Sequence, residues 1–358
     1  MTANTLSLEH IREHFRQARQ SSKARHRDIA AQLQISEGQL IAAYVGSDAL
    51  ELQAQRLRPE WAQIITQVET LGTVLALTRN ESCVHEKTGV YQNTSANAHV
   101  GLVLGSAIDL RIFYQQWAYG FAVQDHSGQG DQAQLSLQFF DAAGHAVHKI
   151  FLKPQSHISA YEQLCRQFAE PAQSAGIQPV PSQSAKTERP DSAVDAAALR
   201  QAWSQLRDTH DFFPMLKKHD LTRLQALRLV GADFAQAVDV DAARVLLEAA
   251  ALQQVAIMVF TDNPGIVQIH TGVVHKVAIM GPWLNVLDPD FNLHLRQDHI
   301  ASAWLVRKPT VDGLVSSLEL FDADGQTIAL FFGARKPGQP ELGSWRGLLA
   351  DLTEEASA

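Results

Sequence analysis

The sequence predicts an α+β fold built twice in tandem, in which each half is a large antiparallel β-sheet preceded by helices. Two observations lead to this prediction. The chain contains an internal repeat, and within each half the spacing of apolar residues changes from every third or fourth residue to near-alternation. With 358 residues, of which 46% are hydrophobic, the chain is long enough for two domains that each bury a core.

The repeat keeps an almost constant register along the chain. Gly89 recurs as Gly272 and Leu110 as Leu293, in both cases 183 residues later. Further on, LSLQFFDAAGHAVHKIF recurs as SSLELFDADGQTIALFF with an offset of 181 residues, so the copies differ by two residues of loop. Because the order of the segments is also the same, we interpret the halves as two copies of one module.

In each half the helical segments come first. Residues 7–70 contain LEHIREHFRQA and EWAQIITQVETL, and residues 195–254 contain DAAALRQAWSQLRD and DAARVLLEAAALQQ. All four stretches have apolar residues at helical spacing and few helix breakers. The strand segments follow: LSLQFF and SSLELF nearly alternate, and the turns DAAG and DADG lead into second apolar runs, so each copy predicts a β-hairpin.

A segment rich in proline and small polar residues separates the two halves. Residues 170–194, EPAQSAGIQPVPSQSAKTERPDSAV, show no apolar periodicity and cannot bury enough surface to offset the entropy of ordering. We therefore predict a flexible linker at 170–194 between an N-terminal domain, 1–169, and a C-terminal domain, 195–358.

Composition restricts the functional classes. The formal net charge of −8 argues against wholesale binding to nucleic acid or to an anionic membrane surface. No run of eighteen apolar residues is present and the N-terminus is polar, so we expect neither a membrane span nor a signal peptide. Cys83 and Cys165 lie outside any CxxC spacing, which excludes a cysteine-based metal site and suits a reducing compartment. We expect a cytoplasmic protein.

His210, in the stretch RDTHDFFPMLKKH, is a candidate iron ligand. Leu199, Trp203, Leu206 and His210 are spaced i, i+4, i+7 and i+11, which predicts that His210 continues the apolar face of a helix at its C-terminal end. Pro214 then opens the next helix. A packed core histidine explains this pattern. An axial ligand to haem iron explains it as well, because that role needs an imidazole on an apolar wall with aromatic side chains nearby.

Longer stretches of the sequence carry a resemblance to a known family. They are DTHDFFPMLKKHDLTRLQALRLVG, IVQIHTGVVHKVAIMGPWLNVLDPDFNLHL, WLVRKPTVDGLVSSLELFD and LFFGARKPGQPE in the second half, and ALTRNESCVHEKTGVY, IDLRIF and AVHKIFL in the first. Over nearly its whole length the chain resembles the HemS/ChuS/PhuS-type family of bacterial cytoplasmic haem-handling proteins, or hemin-degrading factors. The resemblance implies two tandem repeats with haem b, iron protoporphyrin IX, in a cleft between them.

The resemblance also implies roles for individual residues. The proximal axial ligand of the haem iron falls on His210, and the distal side, where catalysis would take place, falls on Arg111 with Phe113 as an apolar neighbour. The cations near the haem propionates fall on Arg223, Lys308 and Arg335. On residue type alone, Arg111 is instead predicted to be a strand arginine that is solvated or paired with Asp109, and Lys308 and Arg335 are predicted to be ordinary surface cations.

The implied function is the handling of haem after its uptake. The protein would deliver haem, or degrade it oxidatively with electrons from an external reductant so that iron is released. Both outcomes use the same ligands, so a haem oxygenase-like activity stays open. The expected partners are haem itself, a haem-uptake transporter, and a downstream haem oxygenase or reductase.

A different class of function is suggested by residues 27–43, RDIAAQLQISEGQLIAA. Their apolar and turn residues follow the pattern of a helix-turn-helix, and the preceding segment has a one-sided basic stripe. The stripe consists of Arg12, Arg16, Arg19 and Lys23. The second copy repeats the helix pair, so packing of two short helices is the simpler explanation. The alternative function is a haem-responsive DNA-binding regulator.

Overall fold

A computed structural model of the chain describes residues 6–22, 24–127, 133–181, 187–335 and 338–355, without the side chains of 354 and 355. The chain forms two compact units, and each unit draws on both halves of the sequence. Unit 1 comprises Met1–Arg79, Glu86–Gln183 and Asn263–Gln268, and unit 2 comprises Asn80–His85, Ser184–Asp262 and Ile269–Ala358.

The described part of the first half alternates between helices and strands. Its helices are α1 (Leu8–Ser21), α2 (His26–Gln32), α3 (Glu37–Ala42), α4 (Trp61–Gln67) and α5 (Ile158–Phe168). Its strands are β1 (Leu52–Arg56), β2 (Val74–Arg79), β3 (Cys83–Gly89), β4 (Thr94–Ala96), β5 (Val100–Leu104), β6 (Asp109–Phe113), β7 (Tyr119–Asp125), β8 (Gln134–Phe140) and β9 (Ala146–Leu152).

The second half repeats this series of strands with its own helices. The helices are α6 (Ala196–Ser204), α7 (Phe212–His219), α8 (Arg223–Val230), α9 (Ala242–Leu252) and α10 (Gly343–Glu355). The strands are β10 (Ala235–Val238), β11 (Ile257–Asn263), β12 (Ile266–Gly272), β13 (Val277–Met280), β14 (Trp283–Leu287), β15 (Phe291–Arg296), β16 (Ser302–Thr310), β17 (Gly313–Phe321) and β18 (Thr327–Gly333).

The strands form two nine-stranded sheets of the same topology. One has the order β1-β7-β8-β9-β2-β3-β15-β14-β13, and the other has the order β10-β16-β17-β18-β11-β12-β6-β5-β4. Neighbouring strands pair antiparallel, for example β7 with β8 and β16 with β17. The predicted tandem α+β fold is confirmed. The repeat did not predict that each sheet takes three strands from the other half of the sequence, nor the short edge strands β1 and β10 inside the helical regions.

Local sequence explains where these elements begin and turn. Both predicted hairpins are present, and their turns are built alike: Asp141 Oδ1 accepts hydrogen bonds from two backbone N–H groups of its turn, and Asp322 Oδ1 does the same. Gly144 and Gly325 close the turns with φ values of +81° and +73°, which favour glycine. The helix α1 begins after Ser7, whose hydroxyl accepts a hydrogen bond from the N–H of His10 at 3.2 Å.

Each unit buries apolar clusters between its sheet strands and helices. The larger cluster of unit 1 includes Ile64, Leu110 and Trp117, and it also contains Ile266 from the second half of the sequence. Unit 2 has one cluster that includes Leu246, together with Cys83 from the first half of the sequence, and a second cluster that includes Leu199.

The third helix of each half begins with a charged residue that pairs with a buried side chain of the sheet, and the sign differs between the halves. In unit 1, α3 begins with Glu37, whose Oε1 lies 2.5 Å from Lys149 Nζ on β9. In unit 2, α8 begins with Arg223, whose guanidinium binds Glu319 on β17. The duplicated scaffold therefore holds opposite charges at equivalent helix starts.

Candidate functional site

His210 lies on an exposed turn and not in the core. The helix α6 ends at Ser204, and the apolar face that it presents ends with the buried Leu206. His210 is the middle residue of a separate 3₁₀ turn, Thr209–Asp211, and its side chain is 92% exposed. The prediction that His210 continues the helix face is therefore wrong, and so is its interpretation as a packed core histidine.

The turn is fixed by two aspartates that cap it reciprocally. Asp208 Oδ1 accepts hydrogen bonds from the backbone N–H of His210 at 2.8 Å and from its ring Nδ1 at 2.5 Å. Asp211 Oδ2 accepts the backbone N–H of Asp208 at 3.1 Å. The hydrogen bonds from the backbone and ring of His210 hold the pKa of Asp208 below its ordinary value. Asp208 therefore stays ionised beside the imidazole at neutral pH.

Large apolar side chains are exposed on the segments joined to this turn. Phe213 in the first turn of α7 is 73% exposed, and Val311 and Leu314 at the β16–β17 hairpin are 68% and 51% exposed. The hairpin is fastened to the turn because the N–H of Val311 donates to the carbonyl of Arg207 at 2.9 Å. We call His210, Phe213, Val311 and Leu314 the His210 patch. Exposed apolar side chains grouped in this way are typical of a binding surface.

Arg335 adds a positive charge close to the patch. Its Nη1 lies 3.5 Å from Oδ2 of Asp312, which also accepts the N–H of Gly338 at 3.0 Å. The charge of Arg335 contributes to the lowered pKa of Asp208, so its guanidinium is close to the capped turn. The 3.5 Å separation from Asp312 is long for an ion pair, and a stronger anionic partner could replace this carboxylate.

The other two predicted propionate cations lie in a buried charged cluster. Arg223 donates two hydrogen bonds to Glu319, at 2.6 and 3.0 Å, and Lys308 Nζ lies 2.7 Å from Oε1 of the same carboxylate. The ring of Phe212 covers both cations, with its centroid 4.4 Å from Lys308 Nζ and 5.0 Å from Arg223 Cζ. Lys308 is therefore not the surface cation that residue type alone would suggest.

Electrostatics in this cluster favour the charged forms. Burial lowers the pKa of Lys308 to about 8, so that it remains mostly protonated at neutral pH. Although burial acts in the opposite direction, the charges of Arg223 and Lys308 hold the pKa of Glu319 well below its ordinary value. Asp262 belongs to the same cluster: burial raises its pKa to about 6, so it is mostly ionised at neutral pH, and its charge also acts on Arg223. Two carboxylates therefore balance the two cations beneath Phe212.

Arg111 and Phe113 lie in unit 1, whereas the other predicted site residues lie in unit 2. The two side chains share one face of β6 because strand residues alternate. Val100, which is paired with Phe113, and Leu104 lie exposed on the adjoining strand β5. Arg111 binds the carboxylate of Asp109, as its residue type suggested, and its side chain is half-buried.

The helix-turn-helix pattern forms two helices, but the second, α3, where a recognition helix would lie, is buried. In α3 every residue is buried except the half-buried Gln39. The N–H of Gly38 donates to the carbonyl of Gly144 in the β8–β9 turn at 2.9 Å, and a methyl group on Gly38 would lie 3.0 Å from that backbone. A recognition helix must enter the major groove, and α3 is packed against its own sheet instead.

The basic stripe before this helix pair is used inside unit 1. Arg12 Nε donates to the carbonyl of Ala43 at 2.8 Å, and Arg19 Nε donates to Ser127 at 2.7 Å. Arg16 pairs with carboxylates of its own unit, and Lys23 lies outside the described residues. The stripe therefore packs α1 and its surroundings and offers little charge to phosphates.

Some features of the site were not apparent in the sequence. Glu319 was missed, although the charged residue in SSLELF stands where the first copy has Gln138 within a buried apolar strand. In the part of the chain that the structure describes, no group of three or more histidine, cysteine or acidic residues could hold a metal ion. None of its described helices is both long and apolar enough to cross a membrane.

The chain matches known proteins over nearly its full length. The family model described as the haemin-degrading HemS/ChuX domain matches twice, at residues 34–168 and 220–352. The hemin transport protein HmuS of Yersinia pestis is 41% identical over 337 residues, which cover 92% of this chain and 95% of that protein.

Solved structures give the same result. Holo-PhuS, a heme-binding protein from Pseudomonas aeruginosa, superposes with a TM-score of 0.92 at 42% identity, covering 97% of this chain and 99% of PhuS. The heme degrading enzyme ChuS of Escherichia coli O157:H7 superposes with a TM-score of 0.86 at 37% identity, covering 96% of this chain and 99% of ChuS. The relatives therefore share the whole tandem fold, and the double family match confirms the duplication.

Proposed function

The chain belongs to the HemS/ChuX family, within the HemS/ChuS/PhuS group, and from that premise we propose that it binds haem b during haem uptake and iron utilisation. The relatives support this proposal because one is a hemin transport protein, one a heme-binding protein and one a heme degrading enzyme. In this proposal the protein acts in the cytoplasm, between a haem-uptake transporter and a haem oxygenase or reductase that takes the haem onward.

The single observation that carries the proposal is the His210 patch. It combines an exposed imidazole on a capped turn with three exposed large apolar side chains. Haem needs both features, since its iron takes an axial nitrogen ligand and its ring is a large apolar surface. The residues present therefore fit the group, with His210 as the axial ligand and Phe213, Val311 and Leu314 available to the ring.

Cations for the two propionates are also present, at different depths. Arg335 is half-buried and bound to one carboxylate at 3.5 Å, so it can exchange partners at low cost. Arg223 is partly exposed and keeps Glu319 as its partner, whereas Lys308 lies almost fully buried beneath Phe212. Among these three we assign direct propionate contact first to Arg335 and then to Arg223, whereas Lys308 would act from beneath Phe212 without direct contact.

Arg111 is proposed to act on the distal side of the iron. Its guanidinium is charged at any working pH and presents several N–H donors, so it can hold a water molecule or bind dioxygen by hydrogen bonds. Bound haem would supply an iron centre that uses electrons from an external reductant and dioxygen. Phe113 and the exposed residues of β5 would keep bulk water away from Arg111.

Titration of the purified protein with hemin tests the proposed ligand. Wild type is expected to give a saturable one-to-one change in the Soret band, and His210→Ala is expected to bind at least roughly tenfold more weakly with an altered band, because the axial nitrogen is lost. His219→Ala is the matched control, since His219 ends the adjoining helix α7. Identical titrations of wild type and His210→Ala would remove His210 as the ligand.

A second experiment separates delivery from degradation. A reductant is added under air to the haem complex of wild type and of Arg111→Ala, and the Soret band is followed. Bleaching with release of iron in wild type, slowed in Arg111→Ala, would establish degradation with Arg111 on the catalytic side. A stable band that is lost only when an acceptor protein is added would establish delivery.

A further inference from the structure

We propose that Asp208 is a positioning residue for iron ligation, holding the imidazole of His210 in one orientation and one tautomer. The inference rests on the proposed haem binding and concerns a residue to which the family resemblance assigned no role. It follows from the hydrogen bonds of the 3₁₀ turn Thr209–Asp211.

The contact with Asp208 selects one tautomer of the His210 ring. Asp208 Oδ1 lies 2.5 Å from Nδ1 of His210 and 2.8 Å from its backbone N. Carboxylate oxygens accept hydrogen bonds, so in the neutral ring, the form that binds a metal, this contact places the proton on Nδ1. The lone pair is then on Nε2, the nitrogen that points away from Asp208. Because the side chain is 92% exposed, this nitrogen is accessible to a ligand arriving from solvent.

The turn that carries Asp208 and His210 is held rigidly. An exposed histidine on a surface samples several rotamers, and ordering it on binding costs free energy. Here the carboxylate that holds the ring is itself held: the N–H of Asp208 donates to Asp211 at 3.1 Å, and the N–H of Asp211 donates to the carbonyl of Asp208 at 3.1 Å. Arg207 accepts the N–H of Val311 from the neighbouring hairpin. The ring is therefore oriented before any ligand binds.

The carboxylate of Asp208 also affects how strongly Nε2 of His210 binds a metal. A histidine that donates its second ring N–H to a carboxylate becomes a more basic ligand, and loss of such a partner typically weakens metal affinity about 10- to 100-fold. Asp208 should therefore strengthen the iron–nitrogen bond as well as orient it. If Asp208 only capped the turn, its loss would lower the stability of the fold and leave the iron–nitrogen bond unchanged.

The test compares Asp208→Asn, Asp208→Ala and Asp211→Asn in the full chain. Hemin affinity is measured by absorbance titration, and the iron–histidine stretching band of the reduced complex is measured by resonance Raman spectroscopy. Asp208→Ala is expected to lose about tenfold or more in affinity and to shift the band to lower wavenumber. Asp208→Asn keeps a hydrogen-bond acceptor and is expected to retain more affinity while still lowering the band.

Asp211→Asn is the matched control. It removes a charge from the same turn without touching the ring, and its amide oxygen can still accept the N–H of Asp208, so the capped turn is kept and affinity and band should stay near those of wild type. Equal shifts in Asp211→Asn and Asp208→Asn, or an unshifted band in Asp208→Ala, would overturn the inference. If His210→Ala leaves the wild-type spectrum unchanged, the proposed ligand itself is wrong and the role of Asp208 is rejected with it. Urea unfolding of each variant shows whether the protein is folded.

Discussion

The histidine at position 148 shows how strongly the core of unit 1 controls a titratable group. Its Nδ1 lies 2.9 Å from the hydroxyl of Thr78, and its Nε2 lies 2.6 Å from the hydroxyl of Tyr91. Burial lowers the pKa of His148 to about 3. The imidazole is therefore neutral in the folded protein, and both its ring nitrogens are satisfied by hydroxyl groups.

This environment predicts a loss of stability in mild acid. An unfolded histidine has a pKa of about 6.5, so between pH 6.5 and 3 the unfolded chain binds one more proton at this residue than the folded chain does. The free energy of unfolding should fall with pH below 6.5, by up to about 1.4 kcal/mol per pH unit from His148. Urea unfolding at a series of pH values from 7 to 5 measures this fall in the free energy of unfolding.

The variant His148→Gln should be less stable at pH 7 and show a shallower pH dependence, because the titrating ring is gone. His10→Gln, at an exposed position of α1, is the control and should keep the wild-type dependence. An equal slope for wild type and His148→Gln would show that other groups account for the acid sensitivity.

At the residue scale, the sequence predicted which side chains matter better than where they lie. Residue identity singled out His210, but apolar spacing placed it on a helix face that ends at Leu206. Periodicity also could not distinguish Phe212, which is buried over charged groups, from its exposed neighbour Phe213. Where a new helical segment begins, the direction of side chains depends on the residue that precedes it, which is Asp208 for the 3₁₀ turn and Asp211 for α7.

At the scale of elements, α3 shows how closely a helix can approach a turn. Gly38 lies in this helix, where an added Cβ would be 3.0 Å from the Cα and carbonyl oxygen of Gly144. The position thus needs glycine for packing, even though glycine lowers the intrinsic stability of a helix. The close contact holds the helix pair α2–α3 on the β8–β9 hairpin.

Replacing Gly38 by alanine should therefore destabilise the protein by roughly 1–3 kcal/mol, because backbone atoms must move to admit the methyl group. Gly347→Ala provides the matched control: it changes a glycine of α10 that has open space around it, and should be neutral or stabilise by up to about 1 kcal/mol. Both are measured by urea unfolding. A stable Gly38→Ala variant would mean that α3 can shift on the hairpin.

Elements with strong local signals were predicted well, and their assembly was not. The hairpins β8–β9 and β17–β18 follow from alternation and turn residues, and both were predicted correctly. The strands β4–β6 and β13–β15 have similar lengths and patterns in the two copies. Alternation fixes which face of a strand is buried, but it does not fix which of two similar sheets the strand joins. The exchange of three strands between the sheets was therefore not predictable from periodicity.

At the scale of the whole molecule, neither compact unit is a continuous stretch of chain. Unit 1 includes Asn263–Gln268, in which Asn263 Nδ2 donates to the carbonyls of Arg79 and Val147 at 2.9 Å. Unit 2 includes Asn80–His85, in which Asn80 donates to the carbonyl of Ile328 at 2.9 Å. Each unit needs a short piece from the other half of the sequence to complete its hydrogen bonds and core.

Separately produced fragments 1–183 and 184–358 should therefore fold poorly. Each lacks the buried segment that the other carries, including Ile266 for unit 1 and Cys83 for unit 2. We expect broad thermal transitions for each fragment by circular dichroism, against a sharp transition for the intact chain. An equimolar mixture of the fragments should recover part of the sharp transition. Sharp, independent melting of either fragment alone would contradict this prediction.

The opposite ion pairs at the starts of α3 and α8 also bear on how the duplication persists. Two repeats at a nearly constant offset can recombine where their coding regions are similar. A chimera with the helix of the first copy on the sheet of the second would bury Glu37 beside Glu319, and the reverse chimera would bury Arg223 beside Lys149. In the first chimera Lys308 would face two carboxylates, and in the second Lys149 would lose the carboxylate of Glu37 and gain a second cation. Unbalanced charge is costly in a core. The inverted pairs thus disfavour an exchange of these helices between the two copies.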